Sequence, residues 1–194
     1  MNVGPLCDLG YDVSVDLCVY VREQRLPTRD AWQSAIDAAG MRLTLDEFDT
    51  RNFDGFLPCR LDGIECSFEY YFHTLEEQDE EIRDRIGDSN RVVTLVLHGG
   101  QMTDLKAAMF AAAALTEVSG GTFYDPQGDV AATGKGVYEL IRQDEERERE
   151  RGRIAAAKDA AITDERCPHC GAPCPSYRKT CKACGKAVRG PTVA

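Results

Sequence analysis

The stretch Phe56-Leu57-Pro58-Cys59-Arg60-Leu61-Asp62-Gly63-Ile64-Glu65-Cys66-Ser67-Phe68-Glu69-Tyr70-Tyr71-Phe72 decides the fold of this 194-residue chain. Two runs of strand-forming residues flank Asp62-Gly63, a dipeptide favoured in two-residue hairpin turns because both positions accept positive φ. On the second run Ile64, Cys66, Phe68, Tyr70 and Phe72 alternate with Glu65, Ser67, Glu69 and Tyr71, which predicts one face turned to a core.

Working outward, Tyr11 to Arg22 also alternates. Val13, Val15, Leu17, Val19 and Val21 oppose Asp12, Ser14, Asp16, Cys18 and Tyr20, the pattern of a strand with one buried face. Thr28 is placed to cap a helix to about Ala39, with Trp32, Ala35, Ile36 and Ala39 on one stripe and Gly40 as its stop. Met41 to Leu45 predicts a short strand, followed by an acidic loop through Asp54. Beyond the hairpin, Glu76 to Asp84 is charge-rich and suits a surface helix. Arg91 to His98 is apolar on both faces, which places it centrally in a sheet. Met102 to Val118 is a strong helix with Leu105, Met109, Ala112 and Leu115 on one stripe. Thr122 to Tyr124 predicts a last short strand. The order β-α-β-β-β-β-α-β describes an α+β domain of ferredoxin-like flavour over residues 1–127, with an antiparallel-rich sheet and two covering helices. Gly128 to Gly136 reads as a flexible joint. Val137 to Arg166 reads as a long charged helix, so residues 128–166 form a hinge and linker. Glu145 and Glu146 stand at i,i+4 and i,i+3 spacing to Arg149.

The remaining segment begins Cys167-Pro168-His169-Cys170-Gly171 and returns as Cys181-Lys182-Ala183-Cys184-Gly185, with a spacer of ten residues between Cys170 and Cys181. Two turns of Cys-x2-Cys, each closed by glycine, aim four sulfurs at one point, the donor set that suits tetrahedral Zn²⁺. Residues 167–190 resemble a zinc ribbon, both halves matching the family's Cys-x2-Cys-Gly knuckle. The resemblance implies one structural zinc on Cys167, Cys170, Cys181 and Cys184. Four thiolates fill the shell, whereas a catalytic zinc keeps a position open. Cys174, between Pro173 and Pro175, reads as a spare thiol, and His169 as an alternative ligand in the first knuckle.

Charge divides the chain unevenly. The formal total is −10, yet residues 1–128 hold ten Lys and Arg against 23 Asp and Glu, a net of −13. Residues 167–194 hold Arg178, Lys179, Lys182, Lys186 and Arg189 and no acid. Zinc on four thiolates would return two negative charges to that tail. The acidic body repels phosphates and favours a basic partner or none. The absence of an apolar leader in Met1 to Val21 points to a cytoplasmic protein. In that setting Cys7, Cys18, Cys59 and Cys66 are core or half-buried thiols.

Other motifs fail as chemistry. His98-Gly99-Gly100 precedes a helix as an esterase oxyanion loop does, but no Gly-x-Ser-x-Gly accompanies it. Around Gly134-Lys135-Gly136 a phosphate loop requires glycine at 129 and a hydroxyl at 136, where Asp129 and Gly136 stand. The carboxylates Glu47, Asp49 and Asp54, and the run Glu76 to Glu81, read as solvated surface.

Tyr11-Asp12-Val13, Leu57-Pro58-Cys59-Arg60-Leu61-Asp62-Gly63, Phe68-Glu69-Tyr70-Tyr71-Phe72 and Phe123-Tyr124-Asp125-Pro126-Gln127 are similar to small uncharacterised bacterial domains, some of them immunity-like. That similarity spans Tyr11 to Gln127 and transfers no functional residues. The expectation is therefore a non-enzymatic zinc-ribbon protein that binds a protein partner, in the manner of an immunity-type inhibitor of a basic toxin. The alternatives are a nucleic-acid-associated protein using the basic tail, and an enzyme whose site the N-terminal domain conceals.

Overall fold

A computed structural model describes residues 14–99, 101–163, 166–172, 174 and 180–188. The chain divides into two units, Met1–Ile141 and Arg142–Ala194. In the first, Asp62 and Gly63 take φ values of 56° and 80°, the doubly positive turn that the dipeptide favours. They join β3 (Gly55–Leu61) to β4 (Ile64–Thr74), pairing Leu61 with Ile64 and Cys59 with Cys66.

Five further strands complete an antiparallel sheet: β1 (Ser14–Val21), β2 (Leu43–Leu45), β5 (Arg91–His98), β6 (Thr122–Asp125) and β7 (Val130–Thr133). Their order is β2-β3-β4-β5-β1-β6-β7, so β5 lies centrally, as its two apolar faces require. Tyr11 to Val13, expected to open β1, lie outside the described residues. Strand β1 runs antiparallel to both β5 and β6, neither of which is its neighbour in sequence.

Pro58 sits inside β3, where a lost N–H is normally costly. Beyond the end of β2, the Asp46 N–H donates to the Pro58 carbonyl at 3.2 Å. The Asp46 carbonyl, which proline cannot serve, instead accepts from Arg29 Nε at 3.2 Å. Arg29 also donates to the Leu45 carbonyl, so one guanidinium closes the ladder end that proline leaves open.

Helix α1 (Arg29–Ala38) is capped by the Thr28 hydroxyl, which accepts from the Ala31 N–H at 3.3 Å. Gly40 follows with φ 72°, the left-handed stop that glycine favours. Trp32 and Ile36 are fully buried. The indole Nε1–H donates to the Ala111 carbonyl at 2.9 Å, tying α1 to α3 (Met102–Ser119). Trp32 and Phe48 surround Tyr70, with ring centroids 6.0 and 5.2 Å from it, and the Tyr70 hydroxyl donates to the Thr50 carbonyl at 2.6 Å. Helix α3 differs from the single stripe expected of it. Ala107, Ala108 and Ala111 to Ala114 are all buried beside Leu115, while Leu105 and Met109 are only partly covered. Small side chains let this helix pack closely against both sheet and α1, so most of its circumference is inside. At its exit a Cβ on Gly121 would lie 2.4 Å from the Tyr20 carbonyl oxygen, a space only glycine fits.

Two expectations need correction. Strand β1 is not buried on one face alone: Cys18 and Tyr20 are buried with Val92 and Ile86, and Leu75, Ile82 and Tyr124 pack against them. The charge-rich segment supplies this cover. It forms a 3-10 helix at Glu77–Ile82 and α2 at Arg83–Ile86, and Ile82 and Ile86 face the sheet. Nor is 128–136 simply a joint. Residues Val130 to Thr133 pair with β6 as β7, and Asp129 binds Arg85 and the Tyr124 hydroxyl.

The first unit therefore ends beyond residue 127. Helix α4 (Gly136–Thr163) begins in it, with Val137 fully buried and Tyr138, Leu140 and Ile141 packed on the main core. From Arg142 onward α4 belongs to the second unit. There it carries i,i+4 pairs Arg142–Glu146 and Arg149–Glu145 at 2.7 and 3.5 Å, so Glu146 pairs backward rather than with Arg149. A chain ended after Ile141 is expected to unfold in one cooperative transition. Ending it after Gln127 should cost several kcal/mol, since a buried Val alone contributes roughly 1.5–3 kcal/mol. Equal denaturation midpoints for the two truncations would remove the start of α4 from the core.

Candidate metal centre

The knuckles in the second unit fold alike because their glycines permit the same turn. Gly171 and Gly185 have φ values of 71° and 70°, and their N–H groups donate to the Cys167 and Cys181 carbonyls at 2.9 and 2.8 Å. The first cysteine of each pair donates in turn, Cys167 to the Ala172 carbonyl and Cys181 to the Lys186 carbonyl, both at 2.9 Å. A bridge between Thr180 and Ala187 flanks the second knuckle.

These turns bring Cys167, Cys170, Cys181 and Cys184 together, all four sulfurs within 4.8 Å of one another. Cys167 and Cys184 are 3.7 Å apart, and so are Cys170 and Cys181. A tetrahedron with metal–sulfur bonds of about 2.3 Å has edges of about 3.8 Å. Two opposite edges thus already match a four-thiolate shell. The four cysteines are positioned to bind a metal ion, and each knuckle contributes one fully buried sulfur, Cys167 or Cys181, and one more exposed, Cys170 or Cys184.

Backbone groups favour charge on one of the sulfurs, Cys181. The Cys184 N–H, then that of Ala183, bring the Cys181 thiol down to about 6, so it ionises readily at neutral pH. The His169 N–H points at Cys167 Sγ from 3.4 Å. The His169 ring itself hydrogen-bonds the Ala187 carbonyl at 3.0 Å and is not one of the converging ligands. Cys174 is buried beside Cys167 and Cys181 but also stands outside the converging set. Of the basic side chains, Lys182 and Lys186 are exposed, while Arg178, Lys179 and Arg189 lie outside the described residues.

Among the described residues no other His, Cys, Asp or Glu group converges in this way. One polar cluster on the sheet escaped the sequence. Glu69 Oε2 accepts from the Tyr71 hydroxyl at 2.7 Å and lies 3.1 Å from His98 Nε2. Tyr71, then His98, holds the Glu69 carboxyl below its ordinary range. Alternation places Glu69 and Tyr71 on one face, but His98 joins them only through the register that sets Glu69 opposite Val96. The cluster is a partly exposed surface network.

No protein-family model, curated protein or solved structure matches the chain. The metal-ligand geometry therefore rests on the residues alone.

Proposed function

We propose that this chain is a non-enzymatic protein-interaction module that carries one structural Zn²⁺, and that its acidic first unit binds a basic protein. Charge carries the reading: residues 1–128 hold 23 acidic against ten basic side chains, which speeds encounter with a cationic surface and repels nucleic acid. A secreted or injected nuclease has such a surface in its substrate groove, and an immunity-type inhibitor would cover it. Zinc is favoured over other ions because four thiolates near tetrahedral spacing form its usual closed structural shell. That shell leaves no position for a reacting water. A cytoplasmic setting belongs to this reading, and no described helix is long and apolar enough to cross a membrane. We read β4-β5-β1-β6, with α1 and α3 as connections, as a ferredoxin-like core extended at both edges; the strand order supports this.

The test measures binding of the full chain, residues 1–141 and residues 142–194 to basic nuclease toxins and to DNA and RNA, across salt. The expected result is binding of a basic protein by the full chain and by 1–141, with an association rate that falls as salt rises. Nucleic-acid binding confined to 142–194 would replace this reading with the nucleic-acid one.

A further inference from the structure

The hairpin that fixes the fold also places two sulfurs together outside the metal centre. Cys59 and Cys66 are directly opposed in β3 and β4, and their Sγ atoms are 3.4 Å apart. Opposed residues of an antiparallel pair keep their Cα atoms about 4.5–5.5 Å apart, inside the window of about 4.4–6.8 Å that a disulfide accepts. Closing the sulfurs to about 2.05 Å therefore needs side-chain rotation, with the strands in place.

A pocket of about 470 Å³ near the start of α3 is lined by Cys59, Cys66, Ser67, Gln101 and Asp104, among others. Asp104 holds its wall, accepting from the Ser67 and Gln101 N–H groups, both at 3.1 Å. The two thiols are not equivalent in it: Cys66 keeps 9% of its surface and Cys59 only 2%. We infer that Cys59 and Cys66 form an oxidative modification site, a dithiol that a small hydroperoxide converts to a cross-strand disulfide, with Cys66 reacting first.

The chemistry closes on these residues and the peroxide. The Cys66 sulfur attacks one peroxide oxygen, the O–O bond breaks, and the departing hydroxide leaves as water with the thiol proton. Cys66 is then a sulfenic acid. The Cys59 sulfur attacks the Cys66 sulfur, the S–O bond breaks, and a second water leaves with the Cys59 proton. The thiols lose two electrons and hydrogen peroxide gains them. Burial, and then the hydrogen bond with Cys66, push the Cys59 thiol up, which disfavours it as the first nucleophile; in the second step its target already sits 3.4 Å away.

The experiment uses the full, reduced, metal-loaded chain exposed to hydrogen peroxide, then unfolded, alkylated and mapped by mass spectrometry. A linked Cys59–Cys66 peptide, lighter by two hydrogens, is expected before loss of the metal cysteines. In Cys59→Ser, dimedone should trap a sulfenic acid on Cys66; in Cys66→Ser, Cys59 should survive as a thiol. Recovery of both thiols after an exposure that oxidises free glutathione overturns the proposal, whatever the variants do. So does a pair that oxidises only as fast as the chain unfolds, as does dimedone labelling that falls first on Cys59.

Discussion

Chelation of the metal-loaded chain is expected to unfold the two cysteine knuckles while the first unit keeps its cooperative transition. Fewer than thirty residues without apolar bulk cannot fold on burial alone, and structural zinc supplies about 10–16 kcal/mol of apparent binding energy in comparable modules. The buried cluster of this segment is Cys167, Cys174 and Cys181 with Cys184 and Val188 at its margin, with no larger apolar side chain among its described members. The protein offers a convenient reporter, because its one tryptophan is Trp32, in the first unit. Its emission should stay constant through chelation while backbone hydrogen exchange at residues 166–172 and 180–188 rises to the unprotected rate. Cys181→Ser with Cys184→Ser should bring metal content from one ion per chain to near none, and Cys174→Ser should leave it unchanged. Acidification should act as chelation does, because protons compete with the metal for thiolate. A shift of Trp32 emission on chelation, or full metal occupancy in the double variant, would refute this arrangement.

Trp32→Ala should be the most damaging single change in the first unit. It removes a fully buried indole, empties the space against Tyr70 and Phe48, and deletes the bond that ties α1 to α3 at Ala111. Large aromatic to alanine changes cost about 3–5 kcal/mol, against a total of about 5–15 kcal/mol for a typical domain. Trp32→Phe keeps most of the volume and loses the donor, and should cost about 1–3 kcal/mol. Urea denaturation followed by circular dichroism gives both values, since neither variant retains the fluorophore. A Trp32→Ala midpoint within error of the parent would mean that the aromatic cluster is not a keystone of this core.

What the sequence disclosed was what short stretches settle for themselves. Asp62-Gly63 specifies its turn in two residues, Thr28 its cap, and each Cys-x2-Cys-Gly its knuckle, so the hairpin, α1 and the four converging cysteines were all legible. Strand β7 was not, because Val130-Ala131-Ala132-Thr133 lies among glycines and carries no alternation; only pairing with β6 makes it a strand. The second cover over Cys18 and Tyr20 was hidden for a related reason. Leu75, Ile82 and Ile86 are sparse among acids and arginines, and their common face exists only once the segment crosses the sheet. The junction of Glu69 with His98 depends on register across 29 positions, which no local pattern encodes.

The placement of β1 has a consequence for the order in which the chain acquires structure. The first described strand is flanked by residues 91–98 on one side and 122–125 on the other. During synthesis it leaves the ribosome before either of the strands it pairs with has been made, and its second ladder cannot form until residue 125 has been made. Closing loops of that length before any contact rewards them makes folding slower than in chains of local contacts. Through that interval Leu17, Val19 and Val21 are exposed apolar side chains on an unpaired strand, the kind of segment that aggregates. The β3–β4 hairpin, whose contacts are all local, has no such wait.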